Sequence, residues 1–200
     1  MAFGIHQDPF PRGRVLRGWD PQNPTKQTKA LPVKEVTKEN GSKDLEWIYP
    51  GHVIFGATNG TKTEWTKTSP DSGDFILAVA GAASTDLDVV NARSLVGLEV
   101  TDSFRIATPF FRTSSGDSYA VGTKLTYCKN GETGNTDGKL NGYIRPAATD
   151  EPVIGVVVES GTGKNGSVDL QSSFVEAIDS SSIRANAYFV IYDTAYQPTK

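Results

Sequence analysis

The residues most suggestive of chemistry form a glycine-rich loop at positions 159–165. This stretch, ESGTGKN, places a lysine after spaced glycines and follows an apolar run, as a phosphate-binding P-loop follows a buried strand. Two requirements are missing, because Val158 stands where the leading glycine belongs and Asn165 replaces the Ser or Thr that would bind magnesium. The residues that follow, Gly166-Ser167-Val168, are also a poor start for a phosphate-binding helix. We therefore predict an exposed hairpin loop here.

The other titratable and nucleophilic side chains lack the spacing that catalysis or metal binding requires. His6 and His52 lie in separate segments without a ligand-like partner, and Cys128 sits in a predicted strand with no histidine nearby in sequence. The candidate serines lack a nucleophile-elbow context, and the acidic pairs lack the ligand spacing of a calcium loop. These residues are Ser114, Ser115 and Ser118, Asp86 with Asp88, and Asp150 with Glu151. We predict no catalytic, cofactor-binding or metal-binding residues, and a site assembled from distant residues stays an open alternative.

The elements that would position any site are strands, and residues 119–158 show the pattern most clearly. A first strand is predicted from apolar residues spaced by two or four positions, namely Tyr119, Val121, Leu125 and Tyr127. The polar run 130–138 predicts an exposed loop between antiparallel strands. Residues 142–145 predict a short strand that Pro146 must end or place at a sheet edge, since proline has no amide hydrogen to donate. Residues 153–158 are mostly β-branched and predict a strand buried on both faces.

Similar patterns predict strands along the rest of the chain. The clearest are residues 45–49, 63–68, 75–80, 104–108, 168–170 and 188–192, with a hairpin turn at Asn59-Gly60. A short helix is possible only over residues 85–95, between two glycines. The chain is therefore predicted to be all-β, a compact β-barrel or β-sandwich with little helix.

The bulk composition agrees with such a fold and excludes several classes of protein. The 200 residues include 20 Gly and 11 Pro and are 37% hydrophobic, which favours short strands and turns. A single cysteine excludes a disulfide framework within the chain, and a net charge of −3 gives no general attraction to nucleic acid or anionic membranes. The sequence shows no apolar run long enough for a membrane span and no secretion signal, so synthesis in a cytoplasm is expected.

Residues 1–46 differ from residues 47–200 and predict an extended, proline-rich N-terminal arm ahead of the β-domain. Repeated prolines disfavour both helix and sheet, and residues 1–34 carry a net charge of +4, which leaves −7 for the remainder. The arm also carries apolar groups, so it is expected to dock on a protein surface rather than complete the domain core. Its predicted interaction residues are Phe3, Ile5, Phe10, Arg12, Arg14, Leu16, Arg17 and Trp19. A tail that folds back on its own domain or is partly disordered is the alternative.

The order of turns and strands resembles the capsid decoration proteins, or cement proteins, of tailed bacteriophages. The segments that carry the resemblance are Val121-Gly122-Thr123, Arg145-Pro146-Ala147 and residues 151–156, echoed by residues 50–54 and Val96-Gly97-Leu98. The resemblance covers roughly residues 49–170 and includes no catalytic signature. It implies binding to the outside of an assembled shell, often as trimers around symmetry axes.

The resemblance therefore implies a structural virion protein on the outer surface of a phage capsid, and the lack of a catalytic spacing adds the expectation of no enzymatic activity or cofactors. Its expected partners are the major capsid protein and two further copies of itself in a homotrimer, with no membrane partner and nucleic acid not favoured. Two alternatives stay open. One is a receptor- or glycan-binding module of a virion tail or fibre, and the other is a hydrolase on a β-scaffold.

Overall fold

The computed structural model describes residues 14–17, 28–59, 62–71, 74–85, 89–90, 93–169 and 188–198. Strands dominate these residues, which confirms the predicted all-β class. One 3₁₀ turn, Lys164–Gly166, interrupts them. In chain order the strands are β1 Arg14–Arg17, β2 Thr28–Leu31, β3 Glu35–Thr37, β4 Lys43–Leu45, β5 Val53–Asn59, β6 Lys62–Thr66, β7 Ile76–Ala80, β8 Leu95–Glu99, β9 Arg105–Thr108, β10 Lys124–Tyr127, β11 Ile144–Pro146, β12 Val153–Glu159, β13 Val168–Asp169 and β14 Tyr188–Gln197.

The strands form two main sheets and one small hairpin. The larger sheet has seven strands in the order β1-β9-β14-β12-β10-β11, with β13 also paired to β14. The smaller sheet has five strands in the order β2-β8-β7-β5-β6, and β3 and β4 pair only with each other. Each of these strand pairings is antiparallel, as short connections between neighbouring strands allow.

The two main sheets share one core, to which buried side chains of both contribute. Alternate residues of each strand point to the same face, so each sheet contributes one row of apolar side chains per strand. Phe55 of β5 and Tyr127 of β10 meet edge to face across this core, with ring centroids 4.9 Å apart. The other core residues include Val53, Leu77, Val79 and Leu98 from the smaller sheet and Ile106, Leu125, Ile144, Ile154, Val190 and Tyr192 from the larger one.

A second core lies on the opposite face of the five-stranded sheet, around Trp65. The Trp65 ring is fully buried, its Nε1 donates a 2.8 Å hydrogen bond to the carbonyl oxygen of Leu95, and it packs against Gly97. A Cβ atom on Gly97 would lie 2.5 Å from the ring, so only glycine allows this approach. The surrounding apolar residues include Val33, Ile48, Ile54, Ala78 and Ala80.

Residues 28–46 belong to this fold, so the predicted boundary between residues 46 and 47 does not separate an arm from a domain. β2 pairs with β8 at one edge of the five-stranded sheet. The chain then crosses to the other edge, where Lys34 N–H donates to Trp65 O at 2.9 Å and Trp65 N–H donates to Pro32 O at 2.7 Å. Val33, between them, is only 4% exposed. The expectation that the whole arm stays outside the core was wrong for these residues, because they bond to both edges of the sheet and bury an apolar side chain.

The structure also corrects the start of the predicted strand 119–127. The strand begins at Lys124, since a turn precedes it in which Thr123 N–H bonds to Ala120 O and Gly122 has a φ of +87°. Val121 points away from the core and is 63% exposed, whereas Tyr119 is fully buried. A left-handed glycine reverses the chain direction here, so the period-2 spacing on its two sides does not belong to one strand.

Other strand predictions are confirmed. β7, β9, β12 and β14 coincide with predicted runs, and β14 extends five residues beyond its predicted end at Tyr192. β11 lies at the edge of its sheet and ends at Pro146, as predicted. β12 is less enclosed than predicted, because Val156 and Val158 are only half-buried.

Candidate interaction surface

The residues predicted to form an interaction arm are only partly placed by the structure. Phe3, Ile5, Phe10, Arg12 and Trp19 lie outside the described residues. The backbone of Arg14, Leu16 and Arg17 belongs to β1, which pairs with β9 at the edge of the seven-stranded sheet. The ladder is irregular between Val15 and Arg17, as at a β-bulge. The described part of the arm thus adds a strand to its own domain.

The best-organised polar group of the molecule surrounds Arg145 on β11. Its guanidinium forms a bidentate pair with Glu151, with N–O distances of 2.6 and 2.7 Å, and a second pair with Glu132 at 2.8 and 3.0 Å. A fifth hydrogen bond, 3.2 Å long, goes to the carbonyl oxygen of Pro146, so all five N–H donors of the guanidinium are used. The Arg145 side chain is only 7% exposed, and the two carboxylates are 16% and 19% exposed. These carboxylates raise the pKa of Arg145, and the guanidinium lowers the pKa of Glu151 to about 2.

A second arginine extends this group toward the turn that precedes β10. Arg112 forms a bidentate pair with Asp117 at 2.8 and 3.0 Å and lies 3.7 Å from Glu132. The Tyr119 hydroxyl donates a 2.6 Å hydrogen bond to the Arg112 carbonyl oxygen, and burial raises the pKa of that hydroxyl. The charges therefore hold three separate turns against one face of the β10–β11 pair, and each charge has a partner of opposite sign.

The loop 128–141 is exposed along most of its length, as its polar sequence predicted, and internal hydrogen bonds also fix it. Asn135 is fully buried, and its amide nitrogen donates to Lys129 O at 3.0 Å and to Asn141 Oδ1 at 2.9 Å. Its side-chain oxygen accepts a 2.7 Å hydrogen bond from Leu140 N–H. These internal hydrogen bonds thus hold the shape of the loop that connects β10 and β11.

His52, which the sequence indicated as a strand-face or loop residue rather than a metal ligand, is buried in the core. It is 3% exposed, it stacks on Phe110 with ring centroids 3.6 Å apart, and its Nδ1 accepts a 2.9 Å hydrogen bond from Tyr49 N–H. Burial lowers the pKa of His52 well below its usual value, and the nearby Lys67 ammonium lowers it further. The imidazole is therefore neutral near pH 7 and serves to pack the Tyr49–Phe110–Tyr143 aromatic group.

The other catalytic candidates of the sequence are separated or engaged in structural bonds. Residues 159–165 form a loop whose 3₁₀ turn begins at Lys164, so no helix follows to bind phosphate. Cys128 is fully buried, and burial raises its pKa to about 12, so its thiolate form is not favoured. Glu151 bonds to Arg145 rather than pairing with Asp150. His6, Asp86 and Asp88 lie outside the described residues.

The described ranges contain neither a metal-binding cluster nor a membrane-spanning helix. No group of three or more His, Cys, Asp or Glu side chains within them has a metal-binding arrangement. Within the same ranges, no helix is both long and apolar enough to cross a membrane.

Large apolar side chains exposed at the surface are the features most compatible with binding. Trp47, just after the β3–β4 hairpin, is 51% exposed, and Val121 projects from the turn before β10. Tyr188 and Tyr196, at the two ends of β14, are 40% and 39% exposed. Tryptophan and tyrosine are enriched where proteins contact partners, because each combines apolar area with a polar group. The arrangement can thus offer rigid contact points, held by the sheets and by the Arg145 group.

The sequence did not identify the Arg145 group as a unit. Its five charged members, Arg112, Asp117, Glu132, Arg145 and Glu151, lie 5 to 39 positions apart in the chain, so spacing carried no signal. One local hint existed, because an arginine between Ile144 and Pro146 in a predicted strand must be either solvated or paired with acids.

In comparisons with known proteins, no family model matches this chain and no curated protein matches it significantly.

Proposed function

We propose that this protein is a structural virion protein that binds the outer surface of an assembled phage capsid and bridges neighbouring major capsid subunits. The observation that carries the proposal is the position of the segments on which the resemblance rests. Val121-Gly122-Thr123, Arg145-Pro146-Ala147 and residues 151–156 belong to one continuous unit, since β10 pairs with β11 on one side and β12 on the other. The motifs therefore correspond to neighbouring structural elements and not to unrelated stretches of chain.

The character of this unit also supports a structural role. Buried ion pairs and an internally bonded loop hold its outer face, and the exposed Val121 stands at its rim. A rigid surface loses little conformational freedom on binding, so more of the contact free energy remains available for association. In this proposal the protein performs no chemical step, and it acts in trimers around the symmetry axes of the shell.

The physical mechanism is mass action on the assembled state. A protein that binds only the assembled shell stabilises it by about 2.7 kcal/mol per site when its free concentration is 100 times the dissociation constant. Because each copy would contact more than one capsid subunit, dissociation of a subunit would also require loss of that contact.

The proposal is tested on virions of the source phage prepared with and without this protein. We expect mass spectrometry to find the chain in purified particles and a cryo-electron microscopy map to show it on the outer shell. Particles without it should release their DNA at a lower temperature, and added purified protein should restore the original value. Location at a tail or fibre, absence from the particle or unchanged heat stability would each contradict the proposal.

A further inference from the structure

A cavity of about 370 Å³ opens where strands of the two main sheets meet. Its walls come from the start of β7, the end of β8 and the end of β14. Leu77 and Val100 are the most buried residues of its lining, and a 3.2 Å hydrogen bond from Val100 N–H to Leu77 O joins them. The volume falls within the range of about 300–1,000 Å³ that is usual for small-molecule sites. Strands from both sheets therefore hold the cavity in a fixed shape.

Two carboxylates line this cavity, from Asp74 and Glu99. Within the part of the chain that the structure describes, neither side chain forms an ion pair, unlike the carboxylates around Arg145. Two negative charges that form no ion pair with the described residues favour a positively charged ligand.

Two aromatic rings complete the lining and indicate which kind of cation fits. Phe75 is held by an edge-to-face contact with Phe55, with ring centroids 5.6 Å apart. Tyr196 is 39% exposed, so part of its surface remains open to a ligand. Aromatic faces attract organic cations, and arginine more often than lysine, whereas metal ions of the calcium and magnesium type take oxygen ligands. The lining therefore suits a guanidinium group with an apolar stem.

We propose that this cavity binds an arginine side chain presented by a partner protein, with Asp74 and Glu99 pairing to the guanidinium and Tyr196 packing against it. The inference concerns a different face from the β10–β12 unit and does not depend on the proposed capsid role. The apolar stem of arginine would pack against the half-buried Phe75, and the charge would meet both carboxylates.

The test titrates ¹⁵N-labelled full-length protein with N-acetyl-arginine amide and follows the backbone amides of Leu77, Val100 and Tyr196 by NMR. N-acetyl-citrulline amide serves as the matched control ligand, because it keeps the shape of arginine without the charge. We expect arginine to shift these amides with a dissociation constant on the order of 1 mM, and citrulline to bind about tenfold more weakly. The arginine shifts should also decrease at high salt.

Variants test whether the named residues make the contact. The double substitution Asp74→Asn and Glu99→Gln should weaken arginine binding about tenfold, and Tyr196→Leu about threefold. Asp150→Asn is the matched control, since Asp150 is exposed outside this cavity and its φ of +67° is tolerated by asparagine. It should leave the affinity unchanged.

Four results would overturn the proposal, and the first three need only the wild-type chain. They are the absence of shifts up to about 50 mM ligand, equal binding of citrulline, tighter binding of glucose or N-acetylglucosamine at the same amides, and unchanged arginine affinity in the double variant. The third result would identify a saccharide site in place of a cation site.

Discussion

Replacing Arg145 with methionine should lower the free energy of unfolding by about 3–5 kcal/mol, because it removes the bidentate partner of two largely buried carboxylates. Glu132 then keeps only the 3.7 Å contact with Arg112, and Glu151 keeps only the hydrogen bond from Ala148 N–H. The structure supports a value in this range, since Arg145 makes four short contacts to Glu132 and Glu151 and all three side chains are less than 20% exposed. Globular domains have total stabilities of about 5–15 kcal/mol, so the loss would be a large fraction of the whole. Methionine keeps an unbranched apolar chain, which limits the change to loss of the guanidinium.

Arg105→Met is the matched control for this experiment. Arg105 also forms a bidentate pair, with Asp193 at 2.7 and 2.8 Å, but the two side chains are 34% and 28% exposed. An ion pair open to water contributes little to stability, because solvent screens it and can replace its contacts. We therefore expect a much smaller loss than for Arg145→Met.

Urea unfolding at pH 7, followed by tryptophan fluorescence, to which the buried Trp65 contributes, measures both variants. Adding Glu132→Gln and Glu151→Gln to Arg145→Met should restore much of the lost stability, since it removes the unpaired charges. Equal losses for the two arginine variants would refute the argument from burial. A further loss in the triple variant would show that the remaining contacts of the carboxylates, with Arg112 and with Ala148 N–H, outweigh the cost of their uncompensated charge.

Acid unfolding provides a second measurement of the same group. The folded pKa of Glu151 is lowered from 4.5 to about 2, so its contribution is fully present above pH 4.5 and is lost as the pH falls toward 2. After allowance for its partial exposure to solvent, this contribution is about 1–3 kcal/mol. Arg145→Met should flatten the wild-type decline in stability within that pH interval.

Three further substitutions test the packing. His52 has a lowered folded pKa, so its neutral form stabilises the fold above pH 6.5, and wild-type stability should fall by up to about 1.4 kcal/mol per pH unit below it. His52→Asn should flatten that slope in pH-dependent urea unfolding, and an unchanged slope would contradict the role of His52. Gly97→Ala should lower the free energy of unfolding by about 1–3 kcal/mol and change tryptophan fluorescence, because a Cβ atom there would lie 2.5 Å from the buried indole. Gly116→Ala, with open space around it, should lower it little. Equal effects would contradict the packing argument. Val33→Ala should lower the free energy of unfolding by about 1–2 kcal/mol in the same assay, and Val36→Ala by much less, since the two valines are 4% and 36% exposed. Equal losses would show that residues 28–34 are not part of the core.

The local sequence determined most of the strands and the class of the fold. β-branched runs produced β7, β12 and the start of β14 where they were predicted, because such side chains favour extended backbone and pack well on a sheet. Pro146 placed β11 at an edge through its missing amide hydrogen. The small polar residues of the loops likewise marked where strands end, and the residue types alone were sufficient for these conclusions.

Tertiary structure alone decided which segments meet. Residues 28–34 carry the composition of a tail, yet they bond to β8 and β6 because both sheet edges had unpaired backbone groups and Val33 could be buried between them. Arg145 acquired its partners in the same way, from a loop and a turn that only the fold brings to β11. Such contacts depend on the register and packing of distant strands, which local sequence patterns do not specify. The sequence therefore indicated what the strands would be, and the packing decided which charges and edges they would bring together.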